Sequence, residues 1–73
     1  MKSSIYSKDH KELVEKLRKA RREAQLDQKQ TAKLLGTTQS YVSKLESGQR
    51  RVNVVQLKEL AKVYKKSLSY FVK

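Results

Sequence analysis

Residues 28–50 read QKQTAKLLGTTQSYVSKLESGQR, and this stretch decides the fold. It contains two short segments with helical apolar spacing, separated by Gly36-Thr37-Thr38. The small side chain of Ala32 lets two helices approach closely, and Gly36 accepts the left-handed backbone of a tight turn. The spacing therefore predicts two helices joined by a short turn, the second running from Gln39 to Ser47.

Residues suited to helix capping mark the helix starts in the rest of the chain. Asp27 with Gln30 indicates a capping box, Thr38 and Asn53 are good N-caps, and Asp9 with Glu12 indicates a first helix from about His10 to Gln25. Apolar residues then repeat at helical spacing on both sides of an interruption at 65–67. The sequence predicts an all-α protein of about five helices, with no sheet.

Length and composition limit the possible classes of protein. With 73 residues and 37% hydrophobic content, the chain forms one small domain, which we place at residues 9–73 after a flexible basic arm at 1–8. The sequence has no Cys, and its one His lies beside Asp9 in a predicted helix start. We find no catalytic set, and we predict no enzyme activity, no metal and no cofactor. Without an apolar run or signal core, we expect a cytoplasmic protein and no membrane partner.

Charge indicates the kind of partner. The 18 Lys and Arg residues against 7 Asp and Glu residues give a net charge of +11, which favours a polyanion. The outer face of the third predicted helix carries Gln39, Ser40, Ser43 and Lys44, and these neutral and basic hydrogen-bonding groups suit the edges of DNA bases. A short helix of this kind after a glycine-led turn has the geometry to enter a major groove.

The combination of Q-x-x-x-A-x-x-x-G with V-x-x-L-E-x-G closely resembles the helix-turn-helix of phage-repressor and Cro-like regulators, the xenobiotic-response-element family. The resemblance covers roughly Leu13 to Val72. It implies a five-helix, lambda-repressor-like domain that inserts its third helix into the major groove of operator DNA. The expected function is a sequence-specific, repressor-like transcriptional regulator that acts as a homodimer.

The resemblance also assigns roles to individual residues. A glutamine can bind adenine with two hydrogen bonds, worth about 1–3 kcal/mol of discrimination. Arg21 and Glu46 would form a partly buried ion pair that orients the third helix. Base contacts are expected from Gln39, Ser40, Ser43 and Lys44, and phosphate contacts from Gln28, Ser47, Gln49, Arg50 and Arg51.

Several points stay open at the level of sequence. Relatives commonly have glycine where this chain has Lys65, so that turn is either strained or differently shaped. Tyr41 either touches DNA or covers the junction of the second and third helices. The apolar residues near the end of the chain belong either to the core or to a dimer surface: Tyr64, Tyr70, Phe71 and Val72. The aromatic residues of the last helix favour a homodimer through that helix. Alternative functions are an antitoxin or restriction-modification controller with a protein partner such as a toxin, or a general basic nucleic-acid-binding protein.

Overall fold

Five helices follow one another along the chain in the computed structural model, which describes residues 8–72. No strand occurs among these residues, and the prediction of an all-α fold is confirmed. Residues 1–7 of the predicted arm lie outside the described residues. The helices are α1 (Lys8–Glu23), α2 (Gln28–Leu35), α3 (Gln39–Glu46), α4 (Val54–Tyr64) and α5 (Leu68–Phe71).

The predicted caps start α2, α3 and α4. Asp27 Oδ1 accepts a hydrogen bond from the Gln30 amide at 2.7 Å, while Gln30 Oε1 accepts one from the Asp27 amide at 2.9 Å. Asn53 forms the same capping box at the start of α4. Thr38 Oγ1 accepts a bond from the Tyr41 amide at 3.2 Å. These side chains satisfy backbone donors that have no partner inside the helix, which fixes where each helix begins.

The predicted bounds of the first helix are wrong at both ends. α1 already includes Lys8, so Asp9 lies inside the first turn instead of serving as the N-cap. Apolar spacing does not locate this start, because the first turn of α1 contributes no buried side chain. At the other end, Gln25 adopts a left-handed φ of 60°, and the Leu26 amide bonds back to the Arg21 carbonyl at 3.1 Å.

The core joins α1, α3, α4 and α5 around Leu17 and Leu45, each 1% exposed. Tyr64 and Phe71 are also buried, so of the two positions that the sequence left open for them, core or dimer surface, both lie in the core. Tyr70 is half-buried with its ring edge-on to Phe71 at 5.0 Å between centroids. The last helix therefore closes the core with its aromatic side.

The sequence left two forms open for the turn after α4, a strained one and a differently shaped one, and the structure has the strained one. Lys65 takes a left-handed backbone with φ of 58° and ψ of 42°, and its amide bonds to the carbonyls of Ala61 and Lys62. A residue with a Cβ pays about 1–2 kcal/mol for this conformation. The following Lys66 binds Glu23 at 2.6 Å, which ties the end of α4 to the end of α1.

Candidate nucleic-acid interface

The third helix has two faces with different environments. Val42 and Leu45 are each 1% exposed and anchor α3 to the core. The opposite face is open to solvent, and all four residues predicted to contact bases lie on it: Gln39, Ser40, Ser43 and Lys44. The only acidic residue of α3, Glu46, lies on the buried side. The structure therefore presents amide, hydroxyl and ammonium groups outward with no carboxylate among them.

The turn between α2 and α3 sets the angle between these two helices. Gly36 has a left-handed φ of 72°, and the Thr37 amide bonds back to the Ala32 carbonyl at 2.8 Å. Ala32 is buried, as its small side chain led us to expect. α2 and α3 lie in direct contact across this turn, as in a helix-turn-helix pair.

Glu46 lies at the centre of a partly buried polar network that joins three helices. Its Oε2 lies 2.7 Å from Arg21 Nε, so the contact expected between these two residues is present. Its Oε1 accepts a hydrogen bond from Gln28 Nε2 at 3.1 Å, and its backbone carbonyl accepts one from Arg18. Arg21 also donates to the Leu26 carbonyl at 2.9 Å. The network holds the end of α3 against α1 and the start of α2.

Electrostatics in this network favour the charged form of Arg21. The hydrogen bond to Glu46 raises the pKa of Arg21, and the attraction between the two charges adds to this effect. Glu46 is only 4% exposed, but a guanidinium and a side-chain amide bind the two oxygens of its carboxylate. A buried carboxylate with partners on both oxygens avoids most of the cost of losing water.

Two members of this network have roles that the sequence did not assign. Gln28, expected to contact a phosphate, is half-buried and donates to Glu46. Arg18 is predicted only as one of the solvated basic residues of the first helix, yet it binds the Glu46 carbonyl. One signal was available for Arg18, because it stands three residues before Arg21 and so lies on the same side of α1.

The loop from α3 to α4 places the remaining predicted phosphate contacts at the surface: Ser47, Gln49, Arg50 and Arg51 are all exposed. Ser47 Oγ donates to the Lys44 carbonyl at 3.1 Å, which satisfies one of the last carbonyls of α3. His10 Nε2 lies 3.3 Å from the Gly48 carbonyl oxygen and links the loop to α1. The loop is thus held at its beginning, close to the end of α3.

Tyr41 bridges α3, the loop and α4. Its hydroxyl accepts a hydrogen bond from Gln56 Nε2, and the Arg50 guanidinium carbon lies 5.1 Å from the centre of its ring. The sequence left open whether Tyr41 touches DNA or covers the junction of the second and third helices, and neither interpretation included Gln56 or Arg50 as partners. Tyr41 is half-buried.

Residues 8–72 also bear on two other kinds of site, a metal centre and a membrane span. This part of the chain has no group of three His, Asp or Glu residues that could hold a metal ion. None of its helices combines the length and the apolar character needed to cross a membrane.

Two short helices at a fixed angle, the second with an open polar face and a basic loop behind it, define a helix-turn-helix DNA-binding domain. A family model described as helix-turn-helix, HTH_3, matches residues 17–71. The chain belongs to this family, which is of the Cro and phage-repressor type named by the sequence resemblance. The comparison with curated proteins finds no match. The protein is therefore a DNA-binding helix-turn-helix regulator.

Proposed function

We propose that the protein is a sequence-specific, double-stranded DNA-binding transcriptional regulator that inserts α3 into the major groove. The observation that carries the proposal is the orientation of α3. Its apolar side chains are buried in the core while Gln39, Ser40, Ser43 and Lys44 face solvent together. A helix held in this way offers hydrogen-bond donors and acceptors to DNA while its apolar side stays packed in the core.

The dimensions of α3 suit the proposed insertion. A helix with its side chains is about 10–12 Å across, close to the roughly 12 Å width of the major groove. The eight residues of α3 extend about 12 Å, which spans three to four base pairs. We assign adenine recognition to Gln39 and guanine recognition to Lys44, because an amide matches adenine N6 and N7 while an ammonium group favours guanine O6 and N7.

The proposed phosphate contacts flank α3 on both sides. Ser47, Gln49, Arg50 and Arg51 follow it, and Gln28 stands at the start of α2. The Gln28 amide nitrogen carries two hydrogens, and Glu46 takes one of them, which leaves the other for a phosphate oxygen. Glu46 would thereby orient Gln28 as well as α3. Such contacts position a protein on the duplex without reading sequence.

We further propose that two copies bind together as a homodimer and act as a repressor by covering their operator. The C-terminal helix supplies the proposed contact, where Val72 is 44% exposed beside the half-buried Leu68 and Tyr70. A two-fold dimer would read two half-sites about 34 Å apart, one turn of the duplex.

Selection of binding sites from random duplexes tests the proposal. We expect the wild-type chain to recover inverted half-sites separated by about one helical turn. Gln39→Ala should relax the preference at one base pair, whereas Arg51→Ala should weaken all sequences alike and reduce the slope of log K against log salt by about one.

Two results would contradict the proposal. Equal affinity for the selected duplex, random duplex and RNA would show a general polyanion binder. A uniform loss of affinity in the Gln39→Ala variant on every sequence would show that α3 does not read bases there. Recovery of single, unpaired sites would contradict the homodimer and leave DNA recognition standing.

A further inference from the structure

Arg50 and Arg51 are neighbours in sequence and both exposed, but their surroundings differ. The Arg50 guanidinium lies over the Tyr41 ring, with its central carbon 5.1 Å from the ring centre. Within the described part of the chain, Arg51 has no such ring beneath it. A cation over an aromatic face at this distance is attracted to the ring, so among residues 8–72 only Arg50 of the pair is held in this way.

The ring that holds Arg50 is itself fixed from the other side. Gln56 Nε2 donates a hydrogen bond to the Tyr41 hydroxyl. The same Gln56 side chain accepts the Asn53 amide through Oε1 at 2.9 Å, as part of the capping box of α4. Because the oxygen of this amide is turned toward the Asn53 amide, its nitrogen is directed toward Tyr41. The start of α4 thus determines where the ring lies.

The contact with the ring leaves Arg50 able to bind an anion. A guanidinium has five N–H donors, and Tyr41 lies on one side of it, so donors remain for a phosphate on the other sides. An arginine already held in this orientation loses less rotamer freedom on binding than a free one. The loop position of Arg50, beyond the end of α3, favours backbone phosphate over base edges.

We propose that Tyr41 is a positioning residue that holds Arg50 ready for a DNA phosphate, with Gln56 fixing the Tyr41 ring. This inference rests on the DNA binding proposed above, and it assigns Tyr41 and Gln56 a part in recognition without a base contact of their own. Arg51 makes its phosphate contact without this support and serves as the matched control.

The first measurement uses the free protein. Heteronuclear ¹⁵N–¹H relaxation of the arginine Nε groups reports the motion of each guanidinium on the picosecond to nanosecond scale. We expect Arg50 to be more ordered than Arg51 in the wild-type chain and as mobile as Arg51 in the Tyr41→Leu variant. Equal mobility of Arg50 and Arg51 in the wild-type chain overturns the inference.

The second measurement is a double-mutant cycle on duplex affinity, using the site recovered by selection. Tyr41→Leu should weaken binding about three-fold, a size typical of an exposed cation–π contact, and Tyr41→Phe should retain most of the affinity because it keeps the ring. In the Arg50→Ala background Tyr41→Leu should have no further effect. In the Arg51→Ala background the three-fold loss should persist.

The cycle separates positioning from a general folding role. A damaged fold would weaken binding equally in the Arg50→Ala and Arg51→Ala backgrounds, and that result overturns the inference. If the wild-type chain selects no duplex although Arg50 is ordered, the proposed function is wrong and this inference falls with it. If the chain selects a duplex while Arg50 is mobile, only the positioning role is wrong.

Discussion

Replacement of Arg21 by Met leaves the buried Glu46 carboxylate without its charged partner. The Arg21 and Glu46 side chains are 14% and 5% exposed, so water screens their interaction poorly. Removal of one member of a buried pair costs about 3–5 kcal/mol. Gln28 keeps its hydrogen bond to the other carboxylate oxygen, which places the expected loss near the lower end, about 3 kcal/mol.

This loss is a large part of the stability of so small a domain. Small proteins have a free energy of unfolding of about 0.05–0.15 kcal/mol per residue, which gives roughly 4–11 kcal/mol for a chain of 73 residues. For an m-value of about 1 kcal/mol/M, the urea midpoint should fall by about 3 M, measured by circular dichroism at 222 nm. The double variant Arg21→Met with Glu46→Leu should recover most of the loss, since it removes both charges and fills the space with apolar atoms.

Lys66→Met is the matched control for the loss of one basic partner. It breaks an ion pair whose Glu23 side chain is 45% exposed, and such surface pairs contribute little. The reasoning is refuted if Arg21→Met shifts the midpoint no more than Lys66→Met does. It is also refuted if the double variant is as unstable as Arg21→Met alone, because the loss would then come from packing and not from an uncompensated charge.

Two further predictions concern the end of α4. Lys65→Gly should stabilise the protein by about 1 kcal/mol, because glycine adopts the left-handed φ of 58° without strain. Lys62→Gly, inside the same helix, should destabilise the protein by about 1 kcal/mol, because glycine is a poor helix former. Equal urea midpoints for the two variants would contradict both predictions. Burial raises the pKa of Tyr64 to about 12 from its ordinary value near 10. The neutral phenol therefore contributes stability below pH 10, and the free energy of unfolding should fall by about 2 kcal/mol as the pH rises from 10 to 12. Tyr64→Phe should lack this loss in urea unfolding at each pH, and parallel curves for the two proteins would show that the phenol does not titrate in this way.

The sequence alone was sufficient where the deciding contact is local. The start of α2 follows from Asp27 with Gln30, only three residues apart, and the start of α4 follows from Asn53 as an N-cap. Gly36 is likewise determined by its own backbone, because the turn needs a left-handed conformation that glycine adopts without strain. The exposed face of α3 follows from the positions of Val42 and Leu45 by helical periodicity. Such features depend on neighbours along the chain and can be read without coordinates.

Only the tertiary structure decided which distant side chains meet. Gln28 and Glu46 are 18 residues apart in sequence, and Arg18 and Glu46 are 28 apart. A periodic pattern shows which face of a helix is buried, but it does not show the angle at which that face meets another helix. That angle brings Arg18 and Gln28 to Glu46, and it places Phe71 in the core instead of at the surface. The residues of the candidate site were thus available from the sequence, while the contacts that hold them in place follow from helix packing.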